Sequence, residues 1–264
     1  MPDLSICIPT YNRLQYLKDL LPGVLDQVER VLRGTVEVVV SDNGSTDGTG
    51  AYLASLNHPR LRFWTNERNI GGDRNFLKCI REARGKFVWL IGDDDIVLEG
   101  ALERAMQLVA NGNVDLVISE LGGGTSDKQY ESYRDFLLDR CVRSAAPALA
   151  HTLISANIFR REVFDLDFAE AMLYTQYAHM FGLVKNLDGV VTVTSGLVAE
   201  RLVRAVFAKY PSCLCVKQAL YMRYLAKRFG IPRFAWYGFK MACNLPIEYL
   251  SRFKNLLIGR AGAP

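Results

Sequence analysis

Residues 85–95 read Gly-Lys-Phe-Val-Trp-Leu-Ile-Gly-Asp-Asp-Asp, so a short apolar run delivers three consecutive carboxylates to one place. Five apolar residues at 87–91, bounded by Gly85 and Gly92, suit a strand buried on both faces of a mostly parallel sheet. The acids then stand at its carboxyl end, where open α/β sheets bind ligands. Three adjacent negative charges repel one another unless a cation or protons neutralise them. In extended geometry alternate side chains share a face, so Asp93 and Asp95 are expected to ligate one ion while Asp94 points elsewhere. Oxygen-only ligands favour Mg²⁺ or Mn²⁺ over zinc. The competing reading is a solvated acidic turn that caps a helix starting near Leu98.

The same unit recurs along the chain. Residues 4–8 form an apolar run closed by Pro9-Thr-Tyr-Asn-Arg13, after which Leu14, Leu17, Leu20, Leu21, Val24, Leu25 and Val28 recur at helical spacing. Residues 36–40 repeat the pattern and end in Ser41-Asp-Asn-Gly-Ser-Thr-Asp-Gly48, a run of turn formers and helix caps. A weaker strand is expected at 61–64, then the segment 66–75 with Gly71-Gly72 and a helix to about Ala83. Beyond the acids come a helix over 100–110 and a strand at 116–119. Strands alternating with helices of this length imply right-handed βαβ units and a parallel sheet. Residues 120–144, with three glycines at 122–124, read as an irregular connection or lid. Residues 149–164 and 168–187 read as helices, and 190–194 as a late strand at an edge or antiparallel.

At 264 residues, half of them apolar, the chain can bury a sizeable core in one large domain with a small appendage. Six cysteines without CxxC pairing and three histidines leave no zinc-finger pattern, and buried free thiols are expected. No window approaches the ~18 uninterrupted apolar residues of a spanning helix, and the start lacks a basic n-region. These features suggest a cytoplasmic protein. The net charge of +4 is uneven: residues 201–264 carry twelve Lys or Arg against Glu248 alone, a net of +11, which leaves −7 on residues 1–200. That basic stretch also holds many aromatics, among them Phe207, Tyr221, Tyr224, Trp236 and Phe253, and is divided by Pro232 and Pro246. Basic, aromatic helices of this kind can lie in a membrane interface, each base adding about 1 kcal/mol near an anionic leaflet. A helical extension with a solvated basic face is the alternative. No nucleic-acid module is visible, and no nucleic-acid partner is expected.

Polar residues at the carboxyl ends of strands one, two and four would converge on one crevice. Strand one is not followed by Gly-x-Gly-x-x-Gly, and the Walker pattern is missing, so no glycine cradle for a pyrophosphate is available there. Asp42 after strand two caps a turn at least as often as it contacts a base or ribose.

Four ordered stretches, Ser5-Ile-Cys-Ile-Pro-Thr-Tyr-Asn-Arg13, Val38-Val-Val-Ser-Asp-Asn-Gly-Ser-Thr-Asp47, Asn66-Glu-Arg-Asn-Ile-Gly-Gly-Asp-Arg-Asn75 and Gly92-Asp-Asp-Asp95, resemble the family 2 glycosyltransferases of the GT-A fold. The resemblance covers roughly residues 3–195, and the form of the last two motifs looks most like the abequosyltransferase-type branch. It implies an α/β fold, a Rossmann-like, mostly parallel sheet flanked by helices, with residues 1–119 as the nucleotide-sugar half and 120–200 as the acceptor half, followed by a C-terminal helical extension at 201–264. It implies a nucleotide-diphosphate sugar donor and a glycan or lipid-linked acceptor in bacterial surface polysaccharide synthesis. Inverting, metal-dependent transfer is expected, on the inner face of the cell membrane.

The resemblance attaches roles to residues. Pro9, Thr10 and Tyr11 match the donor-base wall, and Asp42 the acid that accepts a hydrogen bond from the base. Arg13 and Arg74 could face the diphosphate, where guanidinium geometry suits paired phosphate oxygens; for Arg74 the alternative is an exposed helix arginine. Asp93, Asp94 and Asp95 match the DxD element that bridges the diphosphate through Mn²⁺ or Mg²⁺, although Gly92 stands where an acid is more common. The usual Glu-Asp pair that supplies the catalytic base is absent, since the region reads Leu173-Tyr-Thr-Gln-Tyr-Ala-His-Met180. Asp167, Glu170 and His179 are the nearest candidates, each with a structural role available to it. Rival readings are a glycan- or nucleotide-binding module without turnover and a sugar nucleotidyltransferase, whose glycine-rich basic loop is absent.

Overall fold

The computed structural model describes residues 1–32, 34–110, 113–120, 127–137, 139, 154–171 and 188–200, all within the compact unit Met1–Arg201. The expected basic extension, and with it the membrane-contact expectation, lies outside the described residues. The strands are β1 (Leu4–Thr10), β2 (Val36–Asp42), β3 (Leu61–Thr65), β4 (Phe87–Leu90), β5 (Asp95–Val97), β6 (Leu116–Glu120), β7 (Lys128–Tyr130), β8 (Asn157–Arg160), β9 (Val191–Ser195) and β10 (Val198–Glu200). The helices are α1 (Leu14–Arg30), α2 (Thr49–Leu56), α3 (Gly72–Glu82), α4 (Ala101–Ala110), α5 (Tyr133–Leu137) and α6 (Leu166–Ala171).

Eight strands form one sheet in the order β3-β2-β1-β4-β8-β6-β9-β7. The pairings of β1, β2, β3 and β4 with one another are all parallel, as crossover helices between such strands require. Every residue of β1, β2 and β4 is buried, which is why these strands read as mainly apolar runs, interrupted only by Ser5 and Glu37 before their polar ends. Helix α1 lays Leu17, Leu20, Leu21, Val24, Leu25 and Val28 into the same core, the one-sided spacing expected of a helix on a sheet. Trp89 and Phe87 fill the centre. Cys7 and Cys79 are buried free thiols; burial raises the Cys7 thiol well above its ordinary value.

Two expectations differ from the structure, and two are met in part. Residues 157–160 are a strand, not part of a helix: β8 pairs antiparallel with both β4 and β6. Ile158 sits opposite Trp89 on one side and Val117 on the other, so a strand there closes the sheet and buries Ile158 completely. Residues 128–137 are not an irregular connection but hold β7 and α5, whose Tyr130 and Phe136 rings meet edge-on at 5.6 Å. The late strand β9 is no edge: it runs parallel to β6 and antiparallel to β7, which lies outside it. Of the helix expected at 168–187, the described part belongs to α6, which begins at Leu166. Among the described residues, no helix is long and apolar enough to cross a membrane.

Candidate active site

Register brings the first two motifs together. In the parallel pair of β1 and β4, Cys7 lies opposite Leu90. Three residues further on, the Thr10 hydroxyl donates to Asp93 Oδ2 at 2.7 Å. The loop after β1 is laced to the loop after β2: Asn12 adopts φ 53°, its amide donates to Ser45 Oγ and its Oδ1 accepts from the Thr46 amide, both at 2.8 Å. Asp47 accepts from the amides of Leu14 and Thr49 and so caps α1 and α2 together. Arg13, fixed at the start of α1 by these bonds, turns its guanidinium onto the acidic turn.

There Nη1 of Arg13 donates to Asp93 Oδ1 at 3.0 Å and to Asp94 Oδ2 at 2.7 Å. Asp95 turns the other way. Its Oδ2 accepts from the Gly92 amide at 3.0 Å and from the Ser155 hydroxyl, while the Ser155 carbonyl accepts from Trp89 Nε1 at 2.9 Å. The grouping therefore differs from the expected alternation, which paired Asp93 with Asp95. The chain turns at Asp93 and Asp94 before β5 begins, so the two-residue period of a strand does not apply across them. A Cβ on Gly92 would lie 2.7 Å from Asp95 Oδ2, which gives a physical reason for a glycine where an acid is more common. Burial holds Asp93 above the ordinary carboxylate range despite its bonds from Thr10 and Arg13. Burial likewise pushes Asp95 up to about 6. Partial burial lowers the Arg13 pKa, but Asp93 and Asp94 raise it on balance.

A cleft of roughly 290 Å³ opens at this point, lined by Pro9, Thr10, Tyr11, Arg13, Asn43, Gly72, Asn75, Phe76, Asp93 and Asp94 among others. Of the expected donor residues it thus collects Pro9, Thr10, Tyr11, Arg13 and Asp93. Asp42 is fully buried and is not on the cleft wall: its Oδ1 accepts from the Ser45 amide at 3.0 Å, and its Oδ2 is buried without a partner. Arg74 is exposed on the first turn of α3. Asp167 and Glu170 are exposed on α6, and Glu170 pairs with Arg81. Neither acid is among the residues that line the cleft. His179 lies outside the described residues.

Sequence reasoning missed Ser155, whose partners are 60 or more residues away, and missed the asparagine framework behind the cleft. The Asn75 amide donates to the Ser41 carbonyl at 2.8 Å, and its Oδ1 accepts from Ser41 Oγ at 2.6 Å and Asn66 Nδ2 at 3.1 Å. Asn43 Oδ1 accepts from Asn66 Nδ2 and from the Ile70 amide. The cluster of asparagines in the third motif was the available signal. Gly44, at φ +78°, brings this loop against the Arg68 backbone, where a Cβ would be 2.9 Å away.

A divalent cation fits two of the three acids. One nitrogen of Arg13 already lies within hydrogen-bonding distance of both Asp93 and Asp94, so a single positive centre can be shared by two hard oxygen donors. Mg²⁺ commonly binds through one or two carboxylates with phosphates and water completing its shell. Asp95 is engaged elsewhere, and among the described residues no three acidic, histidine or cysteine side chains converge as a metal cage.

A mixed, mostly parallel sheet with a polar cleft at the carboxyl ends of β1 and β4 defines an α/β domain whose crevice lies where open sheets of this class bind ligands. Residues 5–167 match glycosyl transferase family 2, and the chain belongs to that family. It is 30% identical over 203 residues to the abequosyltransferase RfbV of Salmonella typhimurium, covering 67% of this chain and 59% of that protein. It is 27% identical over 179 residues to the GalNAc(5)-diNAcBac-PP-undecaprenol beta-1,3-glucosyltransferase of Campylobacter jejuni, covering 62% of this chain and 57% of the other. The chain thus spans under two thirds of either relative. Its GT-A fold is shared with the mannosyltransferase PcManGT of Pyrobaculum calidifontis, solved with GDP-Man and Mn²⁺, at a TM-score of 0.58 and 18% identity, covering 100% of this chain and 76% of that one.

Proposed function

We propose that the protein moves one sugar from a nucleoside diphosphate donor to a lipid-linked glycan acceptor in bacterial surface polysaccharide synthesis, with inversion and with a divalent metal. The observation that carries this reading is the convergence of Asp93 and Asp94 on one point of a cleft walled by Pro9, Thr10 and Tyr11. Tyr11, 42% exposed, offers a ring face to a nucleobase. Asp93 and Asp94 would hold Mn²⁺ or Mg²⁺, which supplies positive charge against the negative charge building on the departing nucleoside diphosphate. Arg13 adds guanidinium donors toward the same phosphates, and Arg74 stands two residues from Gly72 of the cleft wall. The named activity of the Campylobacter relative supports a lipid-linked acceptor, and the ligands of the mannosyltransferase support a sugar nucleotide with a metal. Of the three base candidates His179 is retained, since an imidazole nitrogen is a side-chain group able to take the proton from the acceptor hydroxyl. Cytoplasmic placement, with residues 201–264 on an anionic membrane, completes the reading.

Calorimetry with UDP, GDP, CDP and dTDP, with and without Mn²⁺, followed by a donor-hydrolysis assay, tests it. One diphosphate is expected to bind only with metal, and Asp93→Asn with Asp94→Asn is expected to abolish the metal-dependent part. Binding of none of the four removes the reading. A second reading, a nucleotide-sugar-binding module without turnover, is favoured by one observation: among the described residues, Asp93 and Asp94 are the only carboxylates on the cleft wall. Metal-dependent binding with no transfer to any glycan acceptor would select it.

A further inference from the structure

Arg13 contacts both Asp93 and Asp94 through Nη1 alone. Its other guanidinium nitrogens form no bond to either acid, and its side chain is 43% exposed on the cleft wall. One cationic side chain thus stands where two carboxylates meet, on the wall of the cleft, with its remaining guanidinium nitrogens bonded to neither acid. We infer that Arg13 is an internal counter-ion that competes with the divalent cation for Asp93 and Asp94 until a diphosphate arrives, and so makes metal and nucleotide bind cooperatively. This rests on the functional reading above. The charge balance gives the reason. Two carboxylates and one guanidinium sum to −1. A divalent ion added alone brings that sum to +1 and crowds a second cation against the first. A bound diphosphate reverses the balance, gives the guanidinium acceptors of its own, and makes both cations favourable. Binding free energies are reciprocal, so the diphosphate must tighten the metal by the same factor as the metal tightens the diphosphate.

The test measures Mn²⁺ binding by electron paramagnetic resonance to the full chain, with and without the diphosphate that binds best. In the parent chain Mn²⁺ alone should bind weakly and be tightened at least tenfold by the diphosphate. Arg13→Gln should bind Mn²⁺ alone about tenfold more tightly, the scale of one partly exposed ion pair made to two acids, and should lose most of the cooperativity. Arg13→Lys, which keeps the charge, should bind Mn²⁺ alone as weakly as the parent. Arg13 makes no side-chain cap on α1, so neither change removes a helix-capping bond. If Arg13→Gln binds Mn²⁺ alone no more tightly than the parent, or keeps the full cooperativity, the inference is wrong while metal-dependent nucleotide binding stands. A parent chain that binds Mn²⁺ neither alone nor with nucleotide overturns the inference together with the functional reading.

Discussion

A single hydroxyl decides how the acidic turn is divided. Ser155 anchors Asp95 away from the cleft and receives Trp89 on its carbonyl, which leaves Asp93 and Asp94 facing Arg13. The arrangement places a carboxylate in a poorly solvated position, and burial pushes it up to about 6. Between about pH 4 and pH 6 the folded state therefore keeps a proton that the unfolded chain has released. The stabilisation linked to this proton is complete below pH 4 and lost as pH rises through 6. Asp95→Asn keeps an oxygen for the Gly92 amide and the Ser155 hydroxyl but carries no charge. In EDTA at pH 7.5 it should be more stable than the parent by about 2–3 kcal/mol, the equivalent of a shift of roughly two pKa units, and the gap should close by pH 4. Urea melts at both pH values decide it, since an equal difference at each would mean that ionisation of Asp95 is not the cause. Asn75 makes the opposite kind of case. It is 2% exposed and bonded on both faces of its amide, so Asn75→Ala strands Ser41 and Asn66 groups without partners. A loss of about 2–4 kcal/mol is expected, at one or more unsatisfied buried groups. Urea denaturation of this variant near parental stability would show that the framework relaxes around the gap.

At the scale of elements, legibility followed burial. Strands β1, β2 and β4 are covered on both faces, so their apolar runs stood out and their carboxyl ends pointed to the cleft. Strand β5 was hidden because its three residues begin at Asp95, inside what read as a turn. Strand β8 was hidden for a different reason. Residues 157–160 gain their extended form from two antiparallel neighbours far away in sequence, and a short apolar run carries no periodicity that separates strand from buried helix. The acid cluster itself was legible, but its division was not, because Ser155 enters from β8's side of the sheet. Ile158 tests the strand assignment: it is fully buried between β4 and β6, and Ile158→Ala should cost about 2–5 kcal/mol as a large-to-small change in a packed core. Because β8 also leads in from Ser155, the same variant should weaken metal-dependent nucleotide binding. Equilibrium denaturation showing less than 1 kcal/mol lost would place Ile158 outside the packed core.

For the whole molecule the unsolved balance is charge. Residues 1–200 carry −7 and residues 201–264 carry +11, a separation far larger than the net +4 suggests. On the proposed reading the acceptor is lipid-linked; an acidic unit at residues 1–200 is repelled by an anionic bilayer, so a cationic segment is then needed to offset that repulsion. The bases of residues 201–264 can supply it, at about 1 kcal/mol for each one near the surface. Converting Lys209, Lys217, Arg223 and Lys227 to Gln in the full chain should therefore lower the partition onto vesicles containing phosphatidylserine by about 100-fold or more, while leaving nucleotide binding at the cleft unchanged. Raising the salt should release the parent chain from the same vesicles, because screening shortens the reach of surface charge to a few ångströms near 1 M. Co-sedimentation measures both effects. A four-base variant that sediments as well as the parent, or a parent that ignores salt, would assign the basic stretch to packing within the protein and leave the acceptor to be met by other means.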